Sequence, residues 1–196
     1  MRFFRENSDS IVKLFINQIG VAIFSMFIYT AAGAISVDGV ASLLIKVGIS
    51  AFSVIFYFSL LYTVMWEIGA KDKIRIEGGR MEEKKSKGIL LGIFANIPNL
   101  VFFGLALLLF GIYILSGAEV LNTASVIFST VFRIFASMYL GIIQGLTDTV
   151  SDINTDYALE VALYIAFSLV SALVIHLSYL MGLKEKRLFT RPPVKK

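Results

Sequence analysis

Three ionisable side chains occur within or at the edge of long apolar stretches, where a charge needs a partner. Arg133 lies near the middle of one stretch, Glu160 lies near the start of another, and Lys46 begins a third. An Arg at the centre of a membrane helix costs about 2.5–3.5 kcal/mol, and such residues commonly mark ion or solute paths. A salt bridge between Arg133 and Glu160 would give both side chains a reason for their depth.

Each of these residues also has a purely structural explanation. Lys46 near the outer face can extend its ammonium group to the membrane surface. A carboxylate in the first turn of a helix, as at Glu160, suits the helix dipole. Arg133 would contact lipid head groups if its helix lay flat on the membrane.

Polar and small residues recur three or four positions apart in four apolar stretches, which aligns them on one helix face. The stripes are Gln18, Ala22, Ser25 and Tyr29; Lys46, Ser50, Ser53 and Tyr57; Ser125, Ser129, Arg133, Ser137 and Gln144; and Glu160, Tyr164, Ser168, Ser171 and Ser178. Hydrocarbon cannot hydrogen-bond these groups, so we expect the faces to turn toward other helices or water.

The stripes either pack helices together or line a polar cavity open to the outside. Packing is favoured by pairs of small residues spaced four apart: Gly88 and Gly92, Gly141 and Gly145, and Ala162 and Ala166. For the cavity, the candidate solute-binding residues are Lys46, Ser50, Tyr57, Arg133, Glu160 and Tyr164.

A proline between two asparagines interrupts the pattern of the third stretch. Pro98 removes one helical hydrogen bond, and Asn96 and Asn99 flank it. The asparagines could satisfy the freed backbone groups or bind a solute with them. Broken helices mark sites in many transporters, so Asn96, Pro98 and Asn99 form a candidate helix break, with a simple kink as the alternative.

The sequence excludes several kinds of chemistry. It contains no cysteine and one histidine, His176, so disulfides, thiolate metal sites and multi-histidine sites are excluded. It contains no GxxxxGK[ST], HExxH or GxSxG motif. We therefore expect no enzyme activity, no metal and no cofactor.

The composition predicts a single all-α domain embedded in a membrane. The chain has 196 residues and is 57% hydrophobic, above the ~45–50% of soluble domains. Its five apolar stretches cover roughly residues 14–35, 46–66, 88–117, 124–146 and 157–182. Each is long enough to cross a ~30 Å hydrocarbon core as a helix.

Sixteen of the eighteen basic residues fall into three clusters. The clusters are Arg2, Arg5 and Lys13; Lys71, Lys73, Arg75, Arg80, Lys84, Lys85 and Lys87; and Lys184, Lys186, Arg187, Arg191, Lys195 and Lys196. The positive-inside rule places all three in the cytoplasm together with both termini. The expected partners of these clusters are anionic lipid head groups, not nucleic acid.

An even number of crossings is needed if all three clusters lie on one side, yet three apolar stretches separate the second from the third. We expect the 124–146 stretch, which contains Arg133, to form an interfacial or re-entrant helix on the outer side. The prediction is four transmembrane helices plus this element. The alternative is five crossings, which would leave the six basic residues of the tail outside.

Two charged segments lie outside the apolar stretches. The connection 67–87 is expected in the cytoplasm as a solvated loop, or as a small hairpin because Ile74–Glu77 alternate before Gly78-Gly79. The tail 184–196 is basic and is expected to be disordered or to lie on the membrane surface.

Two functional hypotheses follow. The first is a small permease or membrane-embedded substrate-recognition subunit that lacks its own motor and needs an energising partner. The second is a non-transporting accessory protein that docks a partner protein through the 67–87 connection. Compact size and short connections favour the inner membrane of a prokaryotic cell.

Overall fold

The structure, a computed structural model, describes residues 2–33, 39–147 and 153–188. These residues form six α-helices and one 3-10 turn, without a strand in the described ranges. The elements are α1 (Arg2–Gly33), α2 (Val40–Glu77), α3 (Lys87–Ser116), α4 (Glu119–Phe135), the turn Ser137–Tyr139, α5 (Leu140–Thr147) and α6 (Ile153–Leu183).

Four of the helices, α1, α2, α3 and α6, are long and apolar enough to cross a membrane. The fourth apolar stretch is different, because α4 and α5 meet at an angle of 85°. The predicted all-α bundle of membrane type is confirmed. The helices extend beyond the apolar stretches at several ends, since backbone hydrogen bonding continues where the side chains become charged.

The register of α3 against α6 shows that these two helices are antiparallel. Gly88 at the start of α3 lies against Tyr179 near the end of α6. At the other end, the rings of Phe110 and Tyr157 are 4.7 Å apart. The end of α3 and the start of α6 therefore lie on the same side of the bundle.

Helix α2 runs parallel to α6 and antiparallel to α1. Asp72 near the end of α2 accepts a hydrogen bond from Tyr179 near the end of α6. Phe24 of α1 and Phe56 of α2 have ring centroids 5.9 Å apart, which places the end of α1 with the start of α2. The bundle thus has two ends. The basic end contains Arg2, Glu77, Lys87 and Leu183; the acidic end contains Gly33, Val40, Ser116 and Ile153.

The bent pair α4–α5 enters from the acidic end and returns to it. Helix α4 begins close after Ser116, and Tyr29 near the end of α1 donates a hydrogen bond to Gln144 of α5. The turn between the helices is buried, and the Ser137 hydroxyl donates to the Ala22 carbonyl at 2.6 Å. This path is consistent with the re-entrant element predicted for residues 124–146.

The interior of the bundle contains an apolar core together with the polar stripes, whereas its outer surface is largely apolar. Most members of the polar stripes are buried, including Gln18, Ser25, Ser50, Ser53, Tyr57, Ser125, Ser129, Ser137, Tyr164, Ser168, Ser171 and Ser178. Phe27 is 72% exposed and Leu115 is 89% exposed. This arrangement suits a surrounding of lipid, because hydrocarbon solvates apolar side chains and excludes polar ones.

Small residues permit close helix contacts, although not at every predicted pair. Gly88 and Gly92 pack on α6, and Gly141 and Gly145 pack on α2. The prediction for Ala162 and Ala166 is wrong, because both residues are exposed on α6. The stripe containing Tyr164 occupies the inner face of this helix, which turns the alanines outward.

Helix α2 continues well past its apolar stretch, and the hairpin alternative is wrong. Residues Ile74–Glu77 are helical, and the turn follows at Gly78-Gly79, where Gly79 has φ 65°. Ion pairs four residues apart favour the helix over the strand. These pairs join Lys71 to Glu67 at 2.6 Å and Lys73 to Glu77 at 3.4 Å.

The described part of the tail packs on α2. The Trp66 indole Nε1 donates to the Lys186 carbonyl at 2.8 Å, and the Arg187 guanidinium lies 4.4 Å from the Trp66 ring centroid. The Leu188 amide donates to the Tyr62 hydroxyl at 2.9 Å. The rest of the predicted basic tail, 189–196, lies outside the described residues.

Two glycines set the distance between α2 and α6. A methyl group on Gly69 would collide with the Tyr179 carbonyl, and one on Gly182 would collide with the Trp66 carbonyl. The helices therefore approach backbone to backbone near the basic end.

We expect Gly69→Ala to destabilise the protein by about 1–3 kcal/mol, because the added methyl overpacks this contact. Thermal unfolding in detergent measures the change. Gly104→Ala is the matched control, since a methyl there has no neighbour within 4 Å. Equal melting temperatures for the two variants would contradict the close contact.

The absence of cysteine permits a direct test of the re-entrant pair. Ala118→Cys lies before α4 and Asp148→Cys lies directly after α5. A membrane-impermeant thiol reagent should label both from the same side, and Lys84→Cys from the opposite side. Labelling of Ala118→Cys and Asp148→Cys from opposite sides would establish five crossings instead of four.

Candidate functional site

A polar cluster joins the re-entrant pair to α6. Arg133 in the last turn of α4 forms an ion pair with Glu160 of α6, with 2.9 Å between Nη2 and Oε2. The two side chains are 28% and 18% exposed, so the charges are mostly removed from solvent. The pairing that the sequence suggested is present, and it links a re-entrant helix to a spanning one.

Tyr157 extends this cluster toward α3. Its hydroxyl lies 2.6 Å from the Ser125 hydroxyl and 3.1 Å from the Ser129 hydroxyl, and its ring lies 5.8 Å from the Arg133 guanidinium carbon. Ser125 also donates to the Ala106 carbonyl at 2.7 Å. The parts of α3, α4 and α6 toward the acidic end are thus connected by hydrogen bonds. Sequence reasoning missed Tyr157, which precedes Glu160 by one turn and shares its face.

Tyr164 lies deeper on the same face of α6. Its ring stacks on Phe103 with centroids 4.7 Å apart, and the side chain is fully buried. Within the described ranges, neither its hydroxyl nor the Arg133 Nε has a hydrogen-bond partner. A buried polar group without a partner costs about 1–3 kcal/mol.

Similar unpartnered atoms occur on α1 and α2. Among the described residues, Gln18 Nε2, Ser25 Oγ and Ser53 Oγ are buried without a hydrogen-bond partner. At 1.5 Å per residue these positions and Tyr164 lie roughly 12–22 Å along their helices from the acidic end. Asn99 Oδ1, Asp156 Oδ1 and His176 Nδ1 are also unpartnered, so the unmet hydrogen-bonding capacity of the described residues includes the depth that the turn Ser137–Tyr139 reaches but extends beyond it.

The candidate residues of α2 face other elements. The Gly141 amide of α5 donates to the Ser50 hydroxyl at 2.7 Å, and Gly141 also lies against the Lys46 carbonyl. Lys46 itself is half-buried. Tyr57 is buried and belongs to the hydrophobic core cluster. The structure thus brings Arg133, Glu160 and Tyr164 together, whereas Lys46 and Ser50 position α5.

Helix α3 is continuous from Lys87 to Ser116, so the structure has no break at the candidate position Pro98 and leaves the alternative of an unbroken helix. Asn96 donates to the Gly92 carbonyl at 2.9 Å and accepts from Ser171 at 3.0 Å. Asn99 donates to Asn96 at 3.5 Å. The asparagines therefore join α3 to α6, and the proline removes one N–H donor without ending the helix.

A second buried charge lies at the basic end. Asp72 of α2 is 1% exposed and pairs with Lys87 at 2.7 Å. Its carboxylate also accepts from Tyr179 at 3.0 Å, and Arg75 lies 3.7 Å away. The sequence analysis placed Asp72 in a solvated connection and missed this site.

The spacing of Asp72 from the apolar residues of α2 indicates that its side chain is buried. Leu61, Met65, Gly69 and Asp72 follow one another at intervals of three or four residues, and all are buried. A helix that continues through the charged segment predicts that Asp72 lies on the inner face.

A cavity of about 350 Å³ lies beside Asp72, between α1 and α2 and open at the basic end. We call it the α1–α2 groove. Its charged lining residues are Glu6, Asp9, Lys13, Glu67, Lys71, Asp72, Arg75 and Lys87.

These arrangements bind and position charges but contain no nucleophile paired with a base. Arg133, Glu160 and Tyr164 can together recognise carboxylate, ammonium or hydroxyl groups. Across the described ranges, no group of three or more His, Cys, Asp or Glu side chains is placed to bind a metal ion.

Comparisons with known proteins give no relative. No protein-family model, curated protein or solved structure matches the chain. The function must therefore be inferred from the geometry of the two polar sites.

A double-mutant cycle tests the Arg133–Glu160 pair. We expect Arg133→Ala to lower the free energy of unfolding more in the unmodified protein than in a protein that already carries Glu160→Ala. The difference between the two effects, the coupling energy, should be about 0.5–3 kcal/mol. The reason is that each single variant leaves one largely buried charge uncompensated.

Denaturant unfolding in detergent measures this coupling. The matched control is the exposed Lys71–Glu67 pair, for which the coupling should be about 0–1 kcal/mol. Additive effects at Arg133 and Glu160 would show that the contact contributes nothing to stability.

Proposed function

We propose that this protein recognises a small polar solute inside the membrane. It acts as a permease-like protein or as the membrane-embedded recognition subunit of a transporter. The site comprises Arg133, Glu160 and Tyr164 where the re-entrant pair meets α6. Lys46, Ser50 and Tyr57, the other candidates, support the inner surface around it.

The re-entrant pair supports this proposal. Non-helical backbone at membrane depth is tolerated only where protein buries it or where it lines a water-filled cavity. Here the α-helical backbone is interrupted at Ala136 and in the 3-10 turn Ser137–Tyr139, which protein buries, and α4 and α5 meet at an 85° bend. Discontinuous helices of this kind form the solute sites of many transporters.

The observation on which the proposal mainly rests is the set of unpartnered buried polar atoms. Ordinary helix packing pairs its polar groups, because an orphan is costly in hydrocarbon. Here the Tyr164 hydroxyl, the Arg133 Nε and the Ser25 and Ser53 hydroxyls lack partners within the described part of the chain. A polar solute or water that enters from the acidic end would satisfy them.

The orientation and energy source are part of the proposal. The basic end faces the cytoplasm by the positive-inside rule, so the re-entrant pair opens to the outside of a prokaryotic inner membrane. The 196 residues contain no phosphate-binding loop of the GxxxxGK[ST] type. A partner subunit or an ion gradient would therefore supply the energy.

An accessory role is the second candidate, and the exposure of the charged connection favours it. Residues 78–80 and 82–86 are exposed beyond the end of α2 and include Arg80, Lys84 and Lys85. A partner protein could dock on this surface. In that case the buried polar atoms would have no part in the function.

We expect at least one solute from a panel of amino acids, sugars and organic acids to raise the melting temperature of the purified protein. Tyr164→Phe should weaken that binding roughly 3- to 10-fold, since it removes one hydrogen bond. Titration of the stabilising solute against each variant gives the affinities.

Tyr113→Phe is the matched control, because it removes a hydroxyl near the end of α3 outside the cluster. Unchanged affinity in Tyr164→Phe would contradict the proposed site. If no solute binds and charge reversal at Arg80 and Lys84 abolishes recovery of a partner protein, the accessory role is correct.

A further inference from the structure

The two charges at the bottom of the α1–α2 groove neutralise each other. Asp72 and Lys87 form an ion pair there, with side chains 2% and 14% exposed. The charges that face an incoming ligand are therefore those of the rim. Lys13 of α1 is exposed, and it lines the groove together with Glu67 of α2.

The rim presents both signs of charge. Glu67 pairs with Lys71 at 2.6 Å, but these side chains remain 52% and 63% exposed. The lining as a whole has four acidic and four basic side chains, so the groove has no net charge. A ligand with one negative and one positive group fits such a surface, whereas a purely anionic ligand meets opposing carboxylates.

Val64 and Ile68 form the apolar part of the groove wall. Ile16 and Gly20 follow Lys13 on the same face of α1, and we call the row from Lys13 to Phe24 the apolar seam. Ile16 is 59% exposed, and a side chain on Gly20 would have no neighbour within 4 Å.

The Phe24–Phe56 ring contact, with centroids 5.9 Å apart, closes the far end of this seam. From Lys13 to Phe24 the seam is roughly 16 Å long, which is comparable to much of an acyl chain.

We propose that the α1–α2 groove binds one phospholipid with a zwitterionic, primary-amine head group. Its phosphate lies near Lys13 and Lys71, its ammonium lies near Glu67, and one acyl chain follows the seam to Phe24. This site is selective, unlike the general attraction of basic clusters for anionic lipid, and it is independent of the proposed solute site.

Lipid retention tests the proposal. The full chain is reconstituted in micelles with equal amounts of phosphatidylethanolamine and phosphatidylglycerol, mildly delipidated, and analysed for bound lipid by mass spectrometry. We expect about one phosphatidylethanolamine per protein, enriched roughly three- to fivefold over phosphatidylglycerol, the size expected of an exposed ion pair.

Glu67→Lys should reverse this preference toward phosphatidylglycerol, because it makes the groove cationic. Glu83→Lys makes the same chemical change outside the groove, at a side chain that is 51% exposed, and should leave the preference unchanged. Melting curves confirm that both variants are folded.

Three results would overturn the proposal. They are equal retention of the two lipids by the unmodified protein, the same response in both variants, and stabilisation by soluble glycerophosphoethanolamine as strong as by the lipid. The last result would leave the apolar seam without a role. None of these results affects the solute proposal, whose site lies toward the opposite end.

Discussion

The structure depends on one constraint: hydrocarbon cannot hydrogen-bond a polar group. In water a serine or tyrosine can face outward at little cost, but in a bilayer it needs a hydrogen-bond partner in a neighbouring helix or in its own helix backbone. This requirement explains why Ser53 and Tyr164 are buried while Phe27 and Leu115 are exposed. It also explains the shape of the bundle, because the inner faces are polar stripes that need partners from several helices at once.

The same constraint connects packing to function. Where two backbones meet directly, as at Gly69 and Gly182, the interface has no space for a solute. Gly141 makes the same kind of close contact with the Lys46 carbonyl, next to the turn Ser137–Tyr139. The buried polar atoms without a partner in the described ranges occur at other positions, among them the Arg133 Nε and the Tyr164 hydroxyl.

Much of the fold and part of the site could be predicted from sequence. The apolar stretches and polar stripes identified the membrane helices and their inner faces, since periodicity reports burial directly. The possibility of an Arg133–Glu160 pair was suggested by the positions of both residues inside apolar stretches. The burial of Asp72 could not be predicted from composition, because the charged segment around it predicts exposure to solvent. Asp72 is buried because α2 continues through that segment. The continuity of α3 through Pro98 depends on contacts with α6 that no local pattern encodes.

The central claim is that polar faces point inward and lipid covers the rest. A nitroxide label moved along α6 from Leu159 to Ser178, one single-cysteine variant at a time, tests it most directly through collision with oxygen, which concentrates in the bilayer. The account predicts accessibility with a 3.6-residue period, with maxima at Leu169, Leu173 and Leu177 and minima at Tyr164, Ser168 and Ser171. Maxima at the serines, or no period at all, would contradict it.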